Sequence, residues 1–218
     1  MATDEQIKQK VTDEIFWDAR IDDSKINIDV ENGVVKLTGE VPTCSDLFNA
    51  EDDVWSIPEV SGVDNRLIVV LEETPIDTEI LNNAESVLAW NPYIDGSKIT
   101  VDVDGGLVTL TGSVDAYWKK IRAENLIFDL RGVTGVSNKL SVVPTRDFDD
   151  EQIANNIVSA IDRNVYVDAE SVNVEVENGI VTLSGMVPTF AAYKAAYNAA
   201  SYTLGVIDVI DNLTVGGT

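Results

Sequence analysis

The sequence predicts an α+β protein of three small tandem domains, each with the element order helix, strand, strand, helix, strand. Three observations lead to this fold class. One short phrase occurs three times in 218 residues, apolar residues recur at helical spacing before it, and apolar–polar alternation surrounds it. The phrase reads NGVVKLTG at 32–39, GGLVTLTG at 105–112 and NGIVTLSG at 178–185. We expect each domain to form a three-stranded mixed sheet with two helices on one face.

The copies are spaced by 73 residues, because Gly39 to Gly112 and Gly112 to Gly185 both span that distance. Landmarks from other parts of the unit keep the same offset: Asp22, Asp95 and Asp168; Val41, Val114 and Val187; Leu67, Leu140 and Leu213. A constant offset without insertions indicates tandem triplication. The predicted domains are residues 1–73, 74–146 and 147–218, called below the first, middle and third repeat.

Each repeat is predicted to open with a helix. Cap-like residues precede it: Thr3 with Gln6, Thr74 followed by Pro75, and Asp149 with Gln152. Apolar residues follow at three- and four-residue spacing: Ile7, Val11 and Ile15; Ile80, Ala84 and Leu88; Ile153, Ile157 and Ile161. This spacing predicts one buried face on each opening helix.

A β-hairpin is predicted next. Its turn dipeptides favour positive φ at both positions, and they are Asn32-Gly33, Gly105-Gly106 and Asn178-Gly179. The return strand directs alternate residues at the core: Val35 and Leu37; Val108 and Leu110; Val181 and Leu183. We interpret Gly33, Gly106 and Gly179, with the closing Gly39, Gly112 and Gly185, as structural turn glycines. The closing glycines are expected at a bulge or at a close approach of a helix to the strand.

A second helix and a last strand complete each repeat. The helix positions are Ala50, Val54 and Ile57; Ala123, Ile127 and Leu130; Ala196, Ala200 and Thr203. Linkers of about five residues, near LEETPI and VPTRDF, contain proline and are too short for independent tumbling. The domains are therefore expected to pack together or to form a fixed array.

The repeated pattern resembles the BON domain. A helix is followed by V-x-V-x-N-G-x-V-x-L-x-G-x-V, a second helix and G-V-x-x-V-x-N-x-L-x-V. The ending matches in VSGVDNRLIVV (60–70) and VTGVSNKLSVV (133–143), whereas VIDVIDNLTV (206–215) has Asp208 and Asp211 in place of Gly and Asn. The resemblance implies a non-catalytic bacterial module associated with phospholipid surfaces, envelope integrity and osmotic stress.

Composition narrows the function classes. The net charge is −23, which disfavours binding to nucleic acid phosphates. No apolar run approaches the roughly 20 residues of a membrane span. The polar start MATDEQIKQK shows no signal-peptide h-region, so the chain is expected in the cytoplasm, or in the periplasm if a signal has been removed.

Catalytic machinery is not predicted. The chain has no His, so a His-dependent triad and an imidazole metal site are excluded. Cys44 matches Tyr117 and Phe190 in the other repeats, which favours a helix-start residue over a nucleophile. Acidic runs at 51–53, 72–73 and 147–151 are interpreted as solvated faces or helix caps, with Ca²⁺ or Mg²⁺ binding as the alternative. We predict no catalytic residue, no resident metal and no cofactor.

Charge is unevenly distributed among the repeats. The first has 6 basic and 18 acidic residues, the middle 7 and 9, and the third 2 and 11, giving net charges of −12, −2 and −9. Basic residues of the middle repeat concentrate in AYWKKIRAENLIFDLRG (116–132). Trp118, Lys119, Lys120 and Arg122 therefore form the candidate contact site for an anionic lipid or a protein partner. The alternative is a surface tryptophan among neutralising charges.

Two hypotheses follow for the whole chain. The first is a non-enzymatic binding or scaffolding protein of osmotic or envelope stress that contacts a phospholipid surface or a protein client. The second is a soluble chaperone-like or protein-interaction module without lipid binding. Trp17 and Trp90, at equivalent helix ends, are expected to cap the small cores or to make contacts between domains.

Overall fold

The computed structural model describes residues 2–70, 76–165, 167–168 and 171–216. Those residues contain six α-helices and nine strands in the predicted order, repeated three times. The helices are α1 (Asp4–Trp17), α2 (Cys44–Ser56), α3 (Asp77–Trp90), α4 (Tyr117–Phe128), α5 (Asp150–Asp162) and α6 (Phe190–Ser201). The strands are β1 (Ile26–Glu31), β2 (Val34–Val41), β3 (Gly62–Val69), β4 (Ile99–Asp104), β5 (Leu107–Val114), β6 (Gly135–Val142), β7 (Val172–Glu177), β8 (Ile180–Val187) and β9 (Asp208–Val215).

The strands form three separate three-stranded sheets, ordered β1-β2-β3, β4-β5-β6 and β7-β8-β9. In the first and third sheets the hairpin strands pair antiparallel and the last strand pairs parallel to the central one. A parallel return requires a crossover, which α2 and α6 supply. The predicted fold class, three tandem α+β domains with mixed sheets, is confirmed.

The predicted core positions are buried. Val35 and Leu37 on β2 are fully inaccessible, as are Val181 and Leu183 on β8. The predicted core residues of α1 and α5 are at most 3% exposed: Ile7, Val11 and Ile15; Ile153, Ile157 and Ile161. Burying a side chain of this size stabilises a fold by roughly 1.5–3 kcal/mol, so these helix–sheet contacts supply much of each small core.

Helix caps form where the sequence places them. Thr3 and Gln6 make a complete capping box at the start of α1. Asp149 caps α5 by accepting the backbone N–H of Gln152 at 2.8 Å. The predicted cap at Thr74 and Pro75 lies outside the described residues.

A clamp that the sequence did not predict ties each opening helix to the hairpin of the same repeat. Asp150, the first residue of α5, accepts the backbone N–H groups of Asn178 and Gly179, both at 2.8 Å. Asp4 bonds in the same way to residues 32 and 33, and Asp77 to residues 105 and 106. One carboxylate thereby satisfies the two outward N–H groups of a tight turn.

The closing glycines lie inside strands, so their assignment as turn residues is wrong. Gly112 belongs to β5 and has a φ of 119°, and an added Cβ would overlap the carbonyl oxygen of Lys98. Gly39 and Gly185 meet the carbonyls of Lys25 and Ser171 in the same way. The neighbour is the backbone entering the first hairpin strand. In the first two repeats the carbonyl belongs to the last residue of a short 3-10 helix, so the close approach comes from that helix and not from an α-helix of the repeat.

A polar link joins the last strand to the second helix of each repeat. Asn65 donates to the carbonyl of Leu47 at 3.0 Å, and Asn138 donates to the carbonyl of Lys120 at 2.9 Å. In the third repeat Asp211 replaces this Asn, and it accepts the hydroxyl of Tyr193 instead. The hydrogen-bond donor is therefore on the strand in the first two repeats and on the helix in the third. The strand and the helix stay linked in all three repeats, although the residue types differ.

The described residues divide into two compact units. One comprises those within 1–84, 102–109 and 126–137. In it, the start of α2 contacts the end of α4 and the segment that follows. The Phe48 and Phe128 rings pack edge to face with centroids 4.7 Å apart, and Ser45 donates to Asp129 at 2.7 Å.

The other unit comprises the described residues within 85–101, 110–125 and 138–218. Tyr117, at the start of α4, is 6% exposed and belongs to the core cluster of the third repeat. Its hydroxyl lies 3.3 Å from that of Tyr197. Burial, followed by this hydrogen bond, raises the pKa of Tyr117 far above its usual value.

Candidate functional site

The candidate site lies on α4 of the middle repeat, on the side away from the sheet. Ala123 and Ile127 are fully buried and fix the inward face of the helix. Trp118 and Arg122 are one turn apart and so share the opposite side. Trp118 is half-buried and Arg122 is exposed.

An aromatic neighbour that the sequence did not single out packs against Trp118. The ring of Tyr93, in the segment after α3, lies edge to face with the Trp118 ring at 5.9 Å between centroids. Tyr93 is itself 58% exposed. The Lys119 ammonium sits 5.6 Å from the centroid of the Trp118 ring, within cation–π range. We call Tyr93, Trp118, Lys119 and Arg122 the basic-aromatic face.

The cations of α4 differ in their surroundings. Lys119 pairs with Asp115 at 2.7 Å, and its side chain is only 22% exposed. Lys120 is half-buried, and its backbone carbonyl accepts the Asn138 amide. Arg122 is the exposed cation nearest to Trp118 along the helix surface. The structure therefore brings a tryptophan, a tyrosine and an arginine to one side of α4, with Lys119 beside them. Lys120 lies three residues before Ala123 and so shares the inward side of the helix.

Trp17 and Trp90 do not cap the cores, so that prediction is wrong. Trp17 is 80% exposed and Trp90 is 88% exposed, since both lie at the last residue of their helix, beyond the buried stripe. Phe16 packs edge to face on Trp17 with centroids 5.2 Å apart, but it is also 61% exposed. Exposed aromatic side chains of this size are more typical of contact surfaces than of isolated folds.

Cys44 is a structural residue. It is the first residue of α2, is 4% exposed, and donates its thiol to the carbonyl of Val133 at 3.3 Å. Burial raises its pKa to about 11. A thiol that stays protonated at neutral pH is a poor nucleophile.

The acidic runs at 51–53 and 147–151 serve local structure, whereas the run at 72–73 lies outside the described residues. Asp149 caps α5 and Asp150 forms the hairpin clamp. In the run at 51–53, Asp53 is 8% exposed and lies 3.8 Å from the guanidinium of Arg20, which also contacts Asp18. Among the described residues, no group of three or more Asp, Glu or Cys side chains is arranged to hold a metal ion.

Asp53 makes the stability of the first repeat depend on pH. Burial, and then the neighbouring charge of Asp18, raise the pKa of Asp53 to about 6, although Arg20 opposes the shift. The folded state therefore binds this proton more tightly than the unfolded state does. The resulting stability is complete below the unfolded pKa near 4 and is lost as the pH rises through 6.

We expect Asp53→Asn to stabilise the chain at pH 7, by on the order of 2 kcal/mol, because it removes the cost of a buried charge. At pH 4 the two proteins should differ little. Urea unfolding of both between pH 4 and 7 measures the difference, and equal offsets at the two pH values would show that folding does not shift the pKa of Asp53.

Comparisons with known proteins agree with the repeat structure. A family model described as BON domain matches residues 3–70, 76–144 and 149–217. Osmotically-inducible protein Y of Escherichia coli (strain K12) is 28% identical over 187 residues, which cover 82% of this chain and 92% of that protein. No helix within the described ranges is long and apolar enough to cross a bilayer.

Two solved structures of CdsD, a structural protein of the type III secretion system of Chlamydia trachomatis, also match. Both are 15% identical. The first covers 96% of this chain and 92% of its own, with a TM-score of 0.28; the second, a C-terminal domain, covers 98% of each, with a TM-score of 0.26. TM-scores this low carry no structural argument.

Proposed function

The chain belongs to the BON domain family, and on that premise we propose that it is a non-enzymatic binding protein of osmotic or envelope stress that contacts anionic phospholipid surfaces. The similarity to an osmotically inducible protein supports the stress context. The basic-aromatic face supports the lipid contact, since amphipathic aromatic rings beside cations suit the boundary between headgroups and acyl chains.

The observation that carries the proposal is the pairing of Trp118 with the exposed Tyr93 beside Arg122. The middle repeat has a net charge of −2, whereas its neighbours have −12 and −9. Repulsion from an anionic surface is therefore weakest at the middle repeat, which also carries the aromatic rings.

Vesicle co-sedimentation tests this function. We expect binding to vesicles with anionic lipid and not to zwitterionic ones, with weaker binding at higher salt. Lys119→Glu with Lys120→Glu should reduce bound protein about tenfold. Arg122→Glu should have a comparable effect alone, because Arg122 is exposed whereas Lys119 and Lys120 are half-buried. Near a charged membrane each basic residue contributes roughly 1 kcal/mol.

A matched control is Lys36→Glu with Lys139→Glu. It makes the same charge change at two exposed strand positions outside the basic-aromatic face. Equal loss in the control would assign binding to overall charge, and binding that is insensitive to salt and to all three variants would overturn the lipid mechanism.

A protein client is the second candidate function, and the exposed aromatic pair of the first repeat favours it. Phe16 and Trp17 lie on a repeat of net charge −12, which an anionic membrane repels. A chaperone-like contact with apolar segments of other proteins would use these rings without lipid. Suppression of client aggregation that persists in the vesicle-binding variants and falls in Trp17→Ser would support this candidate.

A further inference from the structure

An open groove of about 800 Å³ lies on the helical side of the third repeat. Residues of α5, of α6 and of the segments after each helix line it. Four alanines form part of its apolar lining: Ala160, Ala191, Ala195 and Ala199. Small side chains on two adjacent helices leave room for another chain to approach closely.

The positive charge of the third repeat converges on this groove. Arg163 and Lys194 are the only basic residues between 147 and 218, against eleven acidic ones. Both line the groove, one from the end of α5 and the other from α6. The Lys194 ammonium lies 5.1 Å from the centroid of the Phe190 ring, which places the charge near the start of α6. The groove is thus lined by both basic residues of a strongly acidic repeat.

Side-chain amides supply the remaining polar lining. Asn156, Asn164 and Asn198 each offer N–H donors and a carbonyl acceptor, the combination that pairs with a peptide backbone. Tyr202 and Leu204 also line the groove and are 65% and 59% exposed. They provide apolar contact area for the side chains of a bound segment.

We propose that this groove binds a short acidic peptide segment of a protein partner, with Arg163 and Lys194 pairing with its carboxylates. Charge complementarity supports an anionic occupant, and the lining favours a peptide over a phosphate group. A phosphate presents mainly acceptors, so it would leave the asparagine carbonyls and the alanine surface unused. The groove shares no residue with the basic-aromatic face, so its test is independent of the test of the lipid contact.

Fluorescence anisotropy with the full chain tests the site. The probe is a capped, rhodamine-labelled six-residue peptide of alternating Glu and Leu, and the matched peptide has Gln in place of Glu. We expect the acidic peptide to bind at least tenfold more tightly, with affinity falling as salt rises. Equal affinity for the two peptides, or no binding to the acidic one at millimolar protein, would overturn the proposal.

Three variants locate the binding. Arg163→Gln with Lys194→Gln should weaken binding at least tenfold, whereas the same change at Lys36 and Lys139 should leave it intact. Ala191→Trp should block the groove, and the middle repeat already carries Trp118 at the matching helix position, so the fold accommodates it. Unchanged binding in both groove variants would contradict the assignment.

Competitors distinguish the occupant. Inorganic phosphate, at the same concentration as the labelled acidic peptide, should not displace that peptide. Anionic vesicles should not displace it either from a chain that carries the Lys119→Glu and Lys120→Glu changes. Displacement by either would reassign the groove to phosphate or lipid headgroups and reject the acidic peptide.

Discussion

Replacing Gly112 by alanine should destabilise the chain by about 3 kcal/mol or more. At its φ of 119° an L-residue is strained by roughly 1–3 kcal/mol, and the new Cβ would overlap the carbonyl oxygen of Lys98. A backbone carbonyl cannot rotate away as a side chain does, and Lys98 leads directly into β4. Relief therefore requires β4 to separate from β5, with loss of hairpin hydrogen bonds.

Gly105→Asn in the same hairpin is the matched control. Gly105 has a φ of 58°, and no atom lies within 4 Å of an added Cβ. Asn32 and Asn178 occupy the equivalent position with φ of 53° and 52°. We expect Gly105→Asn to change the free energy of unfolding by less than about 0.5 kcal/mol. Urea unfolding followed by circular dichroism compares the two, and similar losses would mean that the turn rather than the strand contact limits stability.

Removing the hairpin clamp of the third repeat by Asp150→Ala should cost about 2 kcal/mol. The substitution deletes two charge-assisted hydrogen bonds, and hydrogen bonds to charged groups contribute roughly 1.5–3 kcal/mol each when well shielded. The carboxylate is only half-buried, so we expect a loss below the combined range of about 3–6 kcal/mol for two shielded bonds. Asp150→Asn keeps one acceptor oxygen and should recover about half of the loss.

Glu151→Ala separates the clamp from the helix dipole. Glu151 is the next residue of the same first turn and is exposed. Losing a first-turn acid costs about 0.3–1 kcal/mol through the dipole alone. If Asp150→Ala and Glu151→Ala destabilised the chain equally in thermal unfolding, the contact with Asn178 and Gly179 would contribute nothing of its own.

Local patterns were enough to predict the architecture. The Asn-Gly and Gly-Gly dipeptides predicted the hairpin turns because positive φ at two successive residues is available to few residue types. Thr3 with Gln6, and Asp149 with Gln152, predicted the helix starts since capping is a contact between near neighbours in sequence. The repeat itself added strength, because each pattern was seen three times.

Contacts between distant residues were not predictable in this way. Asp150 meets Asn178 across 28 residues, and nothing in its own neighbourhood distinguishes it from Glu151. The sequence favoured a turn at Gly112, because the carbonyl of Lys98 comes to lie beside it only when the hairpin forms. Trp90 was expected to cap the core or to make a contact between domains. It is the last residue of α3 and lies beyond the buried face of that helix.

Only part of the candidate site could be predicted from the sequence. The basic cluster on α4 followed from composition and helical spacing alone. Tyr93 has no such signal: it lies in the segment after α3, 25 positions before Trp118, and only the fold brings the two rings together. The groove of the third repeat could not be predicted for a similar reason. Arg163 and Lys194 are isolated in the sequence, and both line the groove only because α5 and α6 lie side by side.

The emission spectrum of Trp118 during vesicle binding tests the central claim most directly. A chain with Trp17, Trp55 and Trp90 replaced by Phe reports on this residue alone. If the basic-aromatic face enters the headgroup region, anionic vesicles should shift the emission to shorter wavelength, and brominated anionic lipid should quench it. Co-sedimentation of this variant without either change would contradict the account, because the protein would then bind the vesicle through another surface.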